Sequence, residues 1–230
     1  MNDVQNHPTE GFTVLELLIV VATMCILAAI ILPSLGRQGR VSGQRINCTN
    51  NLKQMGLAFR TWSLDNGDKY PMQISVTNGG AMEIISTGTV FTVFQVMSNE
   101  LSTPKILFCP EETDPKRVSA TTFQGSVPAG TSAVPFTNHN NVSYFAGLDA
   151  QDTNPQMPLS GDRNLAVGGV PARHGLLQVW TNSPMAWWGA RHGNQGNICL
   201  ADGSVQQVSS SRLRALFVQS GMATNRFAIP

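Results

Sequence analysis

Residues 12–32 read FTVLELLIVVATMCILAAIIL, 21 residues with one charged side chain, Glu16. At a rise of about 1.5 Å per residue, such a helix spans roughly 31 Å, the thickness of the hydrocarbon core of a bilayer. A core helix of a soluble protein is apolar along one stripe, whereas this run is apolar on every face, which favours a membrane segment. The preceding MNDVQNHPTEG, residues 1–11, contains no Lys or Arg. The run also exceeds the apolar core of a secretory signal peptide, so cleavage behind it is not expected. Glu16 stands out, because an ionisable group inside an apolar segment costs several kcal/mol unless paired, which marks it as a functional residue.

The rest of the chain has a different composition. Of 230 residues in total, 13% are charged and the net charge is +1, which argues against a nucleic-acid partner bound through a basic surface. The 21 glycines show no three-residue period, which excludes a collagen helix, and 42% hydrophobic content excludes global disorder. The length fits one ordinary domain plus an appendage.

Past Pro33 the apolar residues fall on one side of a helix. Val41, Cys48, Leu52, Met55, Phe59 and Trp62 form a stripe, while Arg40, Asn47, Asn51, Lys53 and Arg60 lie off it. The pattern predicts a helix to about Leu64, stopped by the turn cluster Asp65-Asn66-Gly67-Asp68. Val90, Phe94, Met97 and Leu101 predict a short helix, and Lys105–Phe108 a short strand ending at Cys109-Pro110. The Ser/Thr/Gly/Pro-rich stretch 119–137 reads as a surface loop. Val142, Tyr144 and Phe145 belong to one strand and Leu176–Thr181 to another. Between Asn197 and Val208, Asp202-Gly203 separates two apolar-rich runs, the signature of a hairpin with a two-residue primed turn. Ser210 or Ser211 then caps a closing helix buried through Leu213, Leu216 and Phe217 and ended by Gly221. No internal repeat is visible.

Gly11-Phe12-Thr13-Val14-Leu15-Glu16 resembles the prepilin peptidase site of type IV pilins and type II secretion pseudopilins. In that family the bond after Gly is cut on the cytoplasmic side and the new Phe amine is methylated, which maps processing onto Gly11 and Phe12. The resemblance assigns Glu16 to subunit assembly, as the partner of a neighbouring subunit's Phe12 amine, so that the pair sets register between subunits. It assigns Pro33 to a helix kink. It also implies an α+β, pilin-like fold, in which a long N-terminal helix, half in the membrane and half soluble, packs on an antiparallel sheet. Arg37, Arg40 and Arg45 beyond the run would by charge alone place the C-terminal side in the cytoplasm. The hexapeptide implies the reverse, with the C-terminal domain in the bacterial periplasm or on a filament, and we take the hexapeptide as the guide. His192, nine residues, then Asp202-Gly203 resembles the H-X9-DG domain found behind such N-termini. Cys48–Gly56, Cys109-Pro110 and Gly161–Asn164 resemble the same families.

The implied organisation is a leader at 1–11, a transmembrane segment at 12–32, the soluble half of the helix at 33–66, and a globular α+β domain at 67–230 with the hairpin at 192–208. The implied partners are prepilin peptidase, other pilin or pseudopilin subunits and an inner-membrane assembly platform. Nothing singles out an enzyme: the serine elbow and the phosphate-binding loop are both absent. His192 and Asp202 could pair as metal ligands or as acid and base; the plainer reading is that Asp202 makes the turn and His192 hydrogen-bonds across the hairpin base. No metal site and no cofactor are expected, calcium at Asp65, Asn66 and Asp68 being the one candidate. In the periplasm the family implies, Cys48, Cys109 and Cys199 allow three disulfide pairings, of which Cys48–Cys109 is favoured, while Cys25 lies in the apolar run. The alternative function is a monomeric, membrane-anchored binding domain for a glycan or secreted cargo, with Trp180, Trp187 and Trp188 as stacking residues.

Overall fold

The computed structural model describes residues 12–189 and 191–230, with the side chains of 32–42 outside the described set. The protein is α+β, with an N-terminal apolar helix and an antiparallel sheet. Two compact units meet in sequence at Gly43 and Gln44.

Helix α1, Val14–Asp65, is a single helix of 52 residues. Its window Val14–Ile31 has a mean hydropathy of 2.9, and none of it is buried, so it is long and apolar enough to cross a membrane. The helix continues through Pro33 without interruption. Gly11 lies outside the described residues. At the N-terminus, Thr13 and Glu16 form a reciprocal cap. Thr13 N–H donates to Glu16 Oε2 at 2.9 Å, Thr13 Oγ1 donates to the same oxygen at 2.8 Å, and Glu16 N–H donates to Thr13 Oγ1 at 3.3 Å.

In the second unit, Cys48, Leu52, Met55, Phe59 and Trp62 are all buried on α1, as the stripe requires. Asn66 donates its amide to Trp62 O at 2.8 Å and closes the helix. Short helices follow: α2 Met82–Ile85, α3 Phe91–Val96 and α4 Ser98–Leu101. The one helix predicted from Val90 to Leu101 is therefore two, divided at Met97, although Val90, Phe94, Met97 and Leu101 are all buried. Lys105–Phe108 is not a strand. Pro104–Leu107 is a 3-10 turn, capped by Thr103 and started by Pro104, whose fixed φ suits a first helical position.

The strands are β1 Tyr144–Gly147, β2 Pro158–Asp162, β3 Leu165–Val167, β4 Val170–Pro171, β5 Gly175–Trp180, β6 Met185–Trp187, β7 Gln195–Leu200, β8 Val205–Ser209 and β9 Thr224–Ile229, with helix α5 Ser210–Gln219 between the last two. Six of them form an antiparallel sheet in the order β5-β9-β1-β2-β7-β8, and β4-β3-β6 form a smaller one. Alternation along the strands separates two cores. Tyr144, Ala146, Cys199 and Ala228 join the cluster containing the α1 stripe. Phe145, Ile198, Leu200 and Phe227 join a cluster with Leu213, Leu216 and Phe217 of α5 and with Trp187. The large sheet is therefore covered on both faces, by α1 and by α5. The approach of α1 is close at Gly56, where a Cβ would stand 2.7 Å from Cys199 Sγ and 3.3 Å from the Gly203 backbone.

The β7–β8 hairpin differs from the expected two-residue turn. Gly203 N–H donates to Leu200 O and Leu200 N–H to Ser204 O, each at 2.9 Å. Gly203 has φ +82°, and Asp202 is not left-handed. The loop is thus three residues, Ala201–Gly203, closed by a left-handed glycine. Asp202 accepts from Ser204 N–H at 2.8 Å and fixes the turn. Ser209, rather than Ser210 or Ser211, caps α5 by accepting from Arg212 N–H at 3.3 Å. A valine at position 203 would hold a β-branched residue at positive φ and press its Cβ against Arg60 Cδ at 3.3 Å. We expect Gly203→Val to cost about 1–3 kcal/mol, read as a lower urea midpoint at unchanged slope; an unchanged midpoint would contradict this turn.

Candidate functional site

The polar interior of the second unit gathers around His192. Arg191–Gly193 links β6 to β7, and His192, Gly193 and Asn194 carry φ of +51°, +68° and +62°. Gly193 takes this conformation freely, whereas His192 and Asn194 pay for it, although His and Asn are among the residue types that best tolerate the region. Neighbouring groups hold the bend. His192 N–H donates to Glu111 Oε2 at 2.8 Å, and Arg45 Nη2 on α1 donates to His192 O at 2.7 Å.

The His192 ring is fully buried between two carboxylates. Nδ1 lies 3.1 Å from Glu111 Oε2 and Nε2 lies 3.3 Å from Asp162 Oδ2 at the end of β2. Burial opposes a charge on the imidazole. The hydrogen bond and charge of Asp162, with the charge of Glu111, outweigh it and raise the imidazole above its usual range. Asp162 Oδ2 also accepts from Asn197 N–H at 2.7 Å and from Asn197 Nδ2 at 2.9 Å. Asp162 Oδ1 is buried with no hydrogen-bond partner among the described residues.

This placement corrects the expected role of His192. Its ring does not cross the hairpin base and does not meet Asp202; it joins the segment after Cys109 to β2. Asp202 is confined to the turn. The H-X9-DG residues thus serve two places in the fold, one a buried polar node and the other a surface loop.

Cys48 and Cys109 form a disulfide beside this node, with Cα atoms 5.3 Å apart. Cys109 Sγ is 3.6 Å from His192 Nε2. Cys199 is free and buried, and burial pushes its thiol up to about 12; Cys25 is free and exposed.

Next to Glu111, Glu112 anchors a second cluster. Its side chain is fully buried, and it accepts from Arg163 Nε at 3.0 Å, from Arg163 Nη2 at 2.9 Å, from Ser143 Oγ at 3.0 Å and from Arg191 Nη2. Burial raises the Glu112 pKa, but the Arg163 hydrogen bonds and the charges of Arg191 and Arg163 override that and hold it down at about 2. Asp114 pairs with Arg117 at 3.6 Å, and Arg117 Nη2 donates to Pro230 O at 2.6 Å, tying the end of β9 to the same segment. Sequence reasoning missed Glu111, Glu112 and Arg191. Their signal was present as two adjacent carboxylates directly behind Cys109-Pro110, in a chain with only 14 acidic residues.

Of the three tryptophans considered for ligand stacking, Trp187 is excluded. It is buried and donates Nε1–H to Val208 O at 2.8 Å. Trp180 and Trp188 are 55% and 50% exposed.

Fold and site together define an α+β chain that has, among the described residues, one helix long and apolar enough to cross a membrane and a disulfide-closed unit built on an antiparallel sheet. The chain matches no known protein family model, no curated protein and no solved structure.

Proposed function

We propose that the chain is a pilin-like structural subunit, a pseudopilin. Prepilin peptidase cuts it between Gly11 and Phe12, and an inner-membrane platform assembles it with other pilin or pseudopilin subunits into a secretion pseudopilus or pilus-like filament. In this reading the apolar half of α1 stores the subunit in the bacterial inner membrane, the disulfide-bearing unit lies in the periplasm or on the filament, and the chain is not an enzyme. The observation that carries the proposal is the Gly11–Glu16 hexapeptide at the head of a helix whose 14–31 window is apolar and unburied and which continues to Asp65. A disulfide suits an oxidising compartment outside the cytoplasm.

The Thr13–Glu16 cap sharpens the test of assembly. Gln at position 16 can still make a capping box but carries no charge, whereas Ala loses both. Removing an intramembrane charge favours insertion by a few kcal/mol at most, so both variants enter the membrane. If the Glu16 charge pairs with a neighbouring Phe12 amine, Glu16→Gln and Glu16→Ala both lose the ladder of crosslinked oligomers in membranes. A full ladder in Glu16→Gln contradicts the pairing. The second reading, a monomeric anchored domain that binds a glycan or secreted cargo, rests on exposed Trp180 and Trp188. It predicts no ladder in the wild type either.

A further inference from the structure

We infer that Cys48, Cys109, His192 and Asp162 form a zinc site in the thiol state of the chain, and that the disulfide is the metal-free state of the same four residues. The inference stands on the buried node alone and is independent of the filament reading.

The donor atoms already converge. The two sulfurs and a His192 ring nitrogen lie within 4.8 Å of one another, all on buried residues. His192 Nε2 is 3.6 Å from Cys109 Sγ and 3.3 Å from Asp162 Oδ2. Asp162, on β2, stands outside the converged trio and is the carboxylate we assign as the fourth ligand. Two thiolates, one imidazole and one carboxylate make a tetrahedral set of the kind zinc prefers over calcium or magnesium. The Cys48 and Cys109 backbones are 5.3 Å apart. Rotation about the side-chain bonds can open the sulfurs to the roughly 3.8 Å separation that two Zn–S bonds of about 2.3 Å at the tetrahedral angle require.

The surrounding groups fit the same purpose. Glu111 Oε2 stands 3.1 Å from Nδ1, where a carboxylate can take up the Nδ1 proton once a metal holds Nε2. The two Asn197 donors orient Asp162, whose Oδ1 is buried and unpartnered among the described residues. Arg45 reaches the His192 carbonyl. It offsets the net negative charge of two thiolates and a carboxylate on a dication.

Two thiols and the imidazolium release their protons as Zn2+ binds to the sulfurs, Nε2 and the carboxylate. A disulfide donor then takes two electrons from the thiolates. The Cys48–Cys109 bond forms, the donor becomes two thiols with protons from solvent, and Zn2+ leaves. The same contact between α1 and the segment at 109 is thereby held by metal before oxidation and by a covalent bond after it.

The test uses the full chain in detergent, reduced with a phosphine under anaerobic conditions and titrated with Co2+ and then Zn2+. We expect thiolate–cobalt absorption at one equivalent, bleached by Zn2+ and absent from the oxidised chain. His192→Gln and Asp162→Asn should each weaken binding tenfold or more, and Cys199→Ser should leave it unchanged. Circular dichroism follows the fold in each sample. A folded reduced chain without the cobalt band overturns the proposal. So does a band of the same strength in His192→Gln, which marks an adventitious thiol pair, and so does a reduced chain that unfolds and does not refold when zinc is added.

Discussion

Cys109→Ser is expected to destabilise the second unit by about 4 kcal/mol. The bond closes a loop with a sequence separation of 61 residues. The chain-entropy cost of leaving a loop of that length open is about 4 kcal/mol at room temperature. The bond ties α1, which covers one face of the sheet, to the segment carrying Glu111 and Glu112, so the disordered alternatives released by its loss are long-range ones. Reduction of the wild type with chelator present should reproduce the shift in denaturant midpoint, and Cys199→Ser should not. Equal midpoints for the oxidised and reduced chains would mean that the rest of the core already imposes the closure.

Loss of Glu112 is expected to be nearly as severe. Among the described residues, Glu112→Ala leaves the Arg191 guanidinium, 7% exposed, without its carboxylate, and Arg163 with only Asp114 at 3.5 Å. Breaking a buried ion pair by removing one partner costs about 3–5 kcal/mol. The pH dependence carries the same information. Because the Glu112 pKa is lowered on folding to about 2, its contribution is fully present above the ordinary carboxylate value and is lost as the pH falls toward 2. The size of the shift corresponds to about 3 kcal/mol. Wild-type stability should therefore fall between about pH 4.5 and 2 by this amount more than that of Glu112→Ala. Parallel acid limbs in the two proteins would contradict the assignment.

The local periods in the sequence determined the helical spine. Cys48, Leu52, Met55, Phe59 and Trp62 recur at helical spacing because one face of α1 meets one sheet face, and all five are buried. The hairpin position was legible for the same reason, since Asp202-Gly203 is a local signal. Its loop length was not, because both loop types use a glycine at that place. Ile106, Leu107 and Phe108 are a short apolar run, which cannot distinguish a strand from a tight helical turn. Strand β9 gave no warning. Thr224–Ile229 is mostly polar at its start, and it is a strand because it pairs with β5 and β1 from distant parts of the chain. The site was the least legible part. His192 was singled out with Asp202, its neighbour in sequence. Its partners Glu111 and Asp162 come from elements far apart along the chain, brought together by sheet order and by the disulfide.

The N-terminus is where the proposed processing and filament assembly are read most directly. Intact-mass analysis of the protein from native membranes should find a chain that begins at Phe12, lacks residues 1–11 and carries one methyl group on the Phe12 amine. A mature chain that retains residues 1–11 would contradict the account.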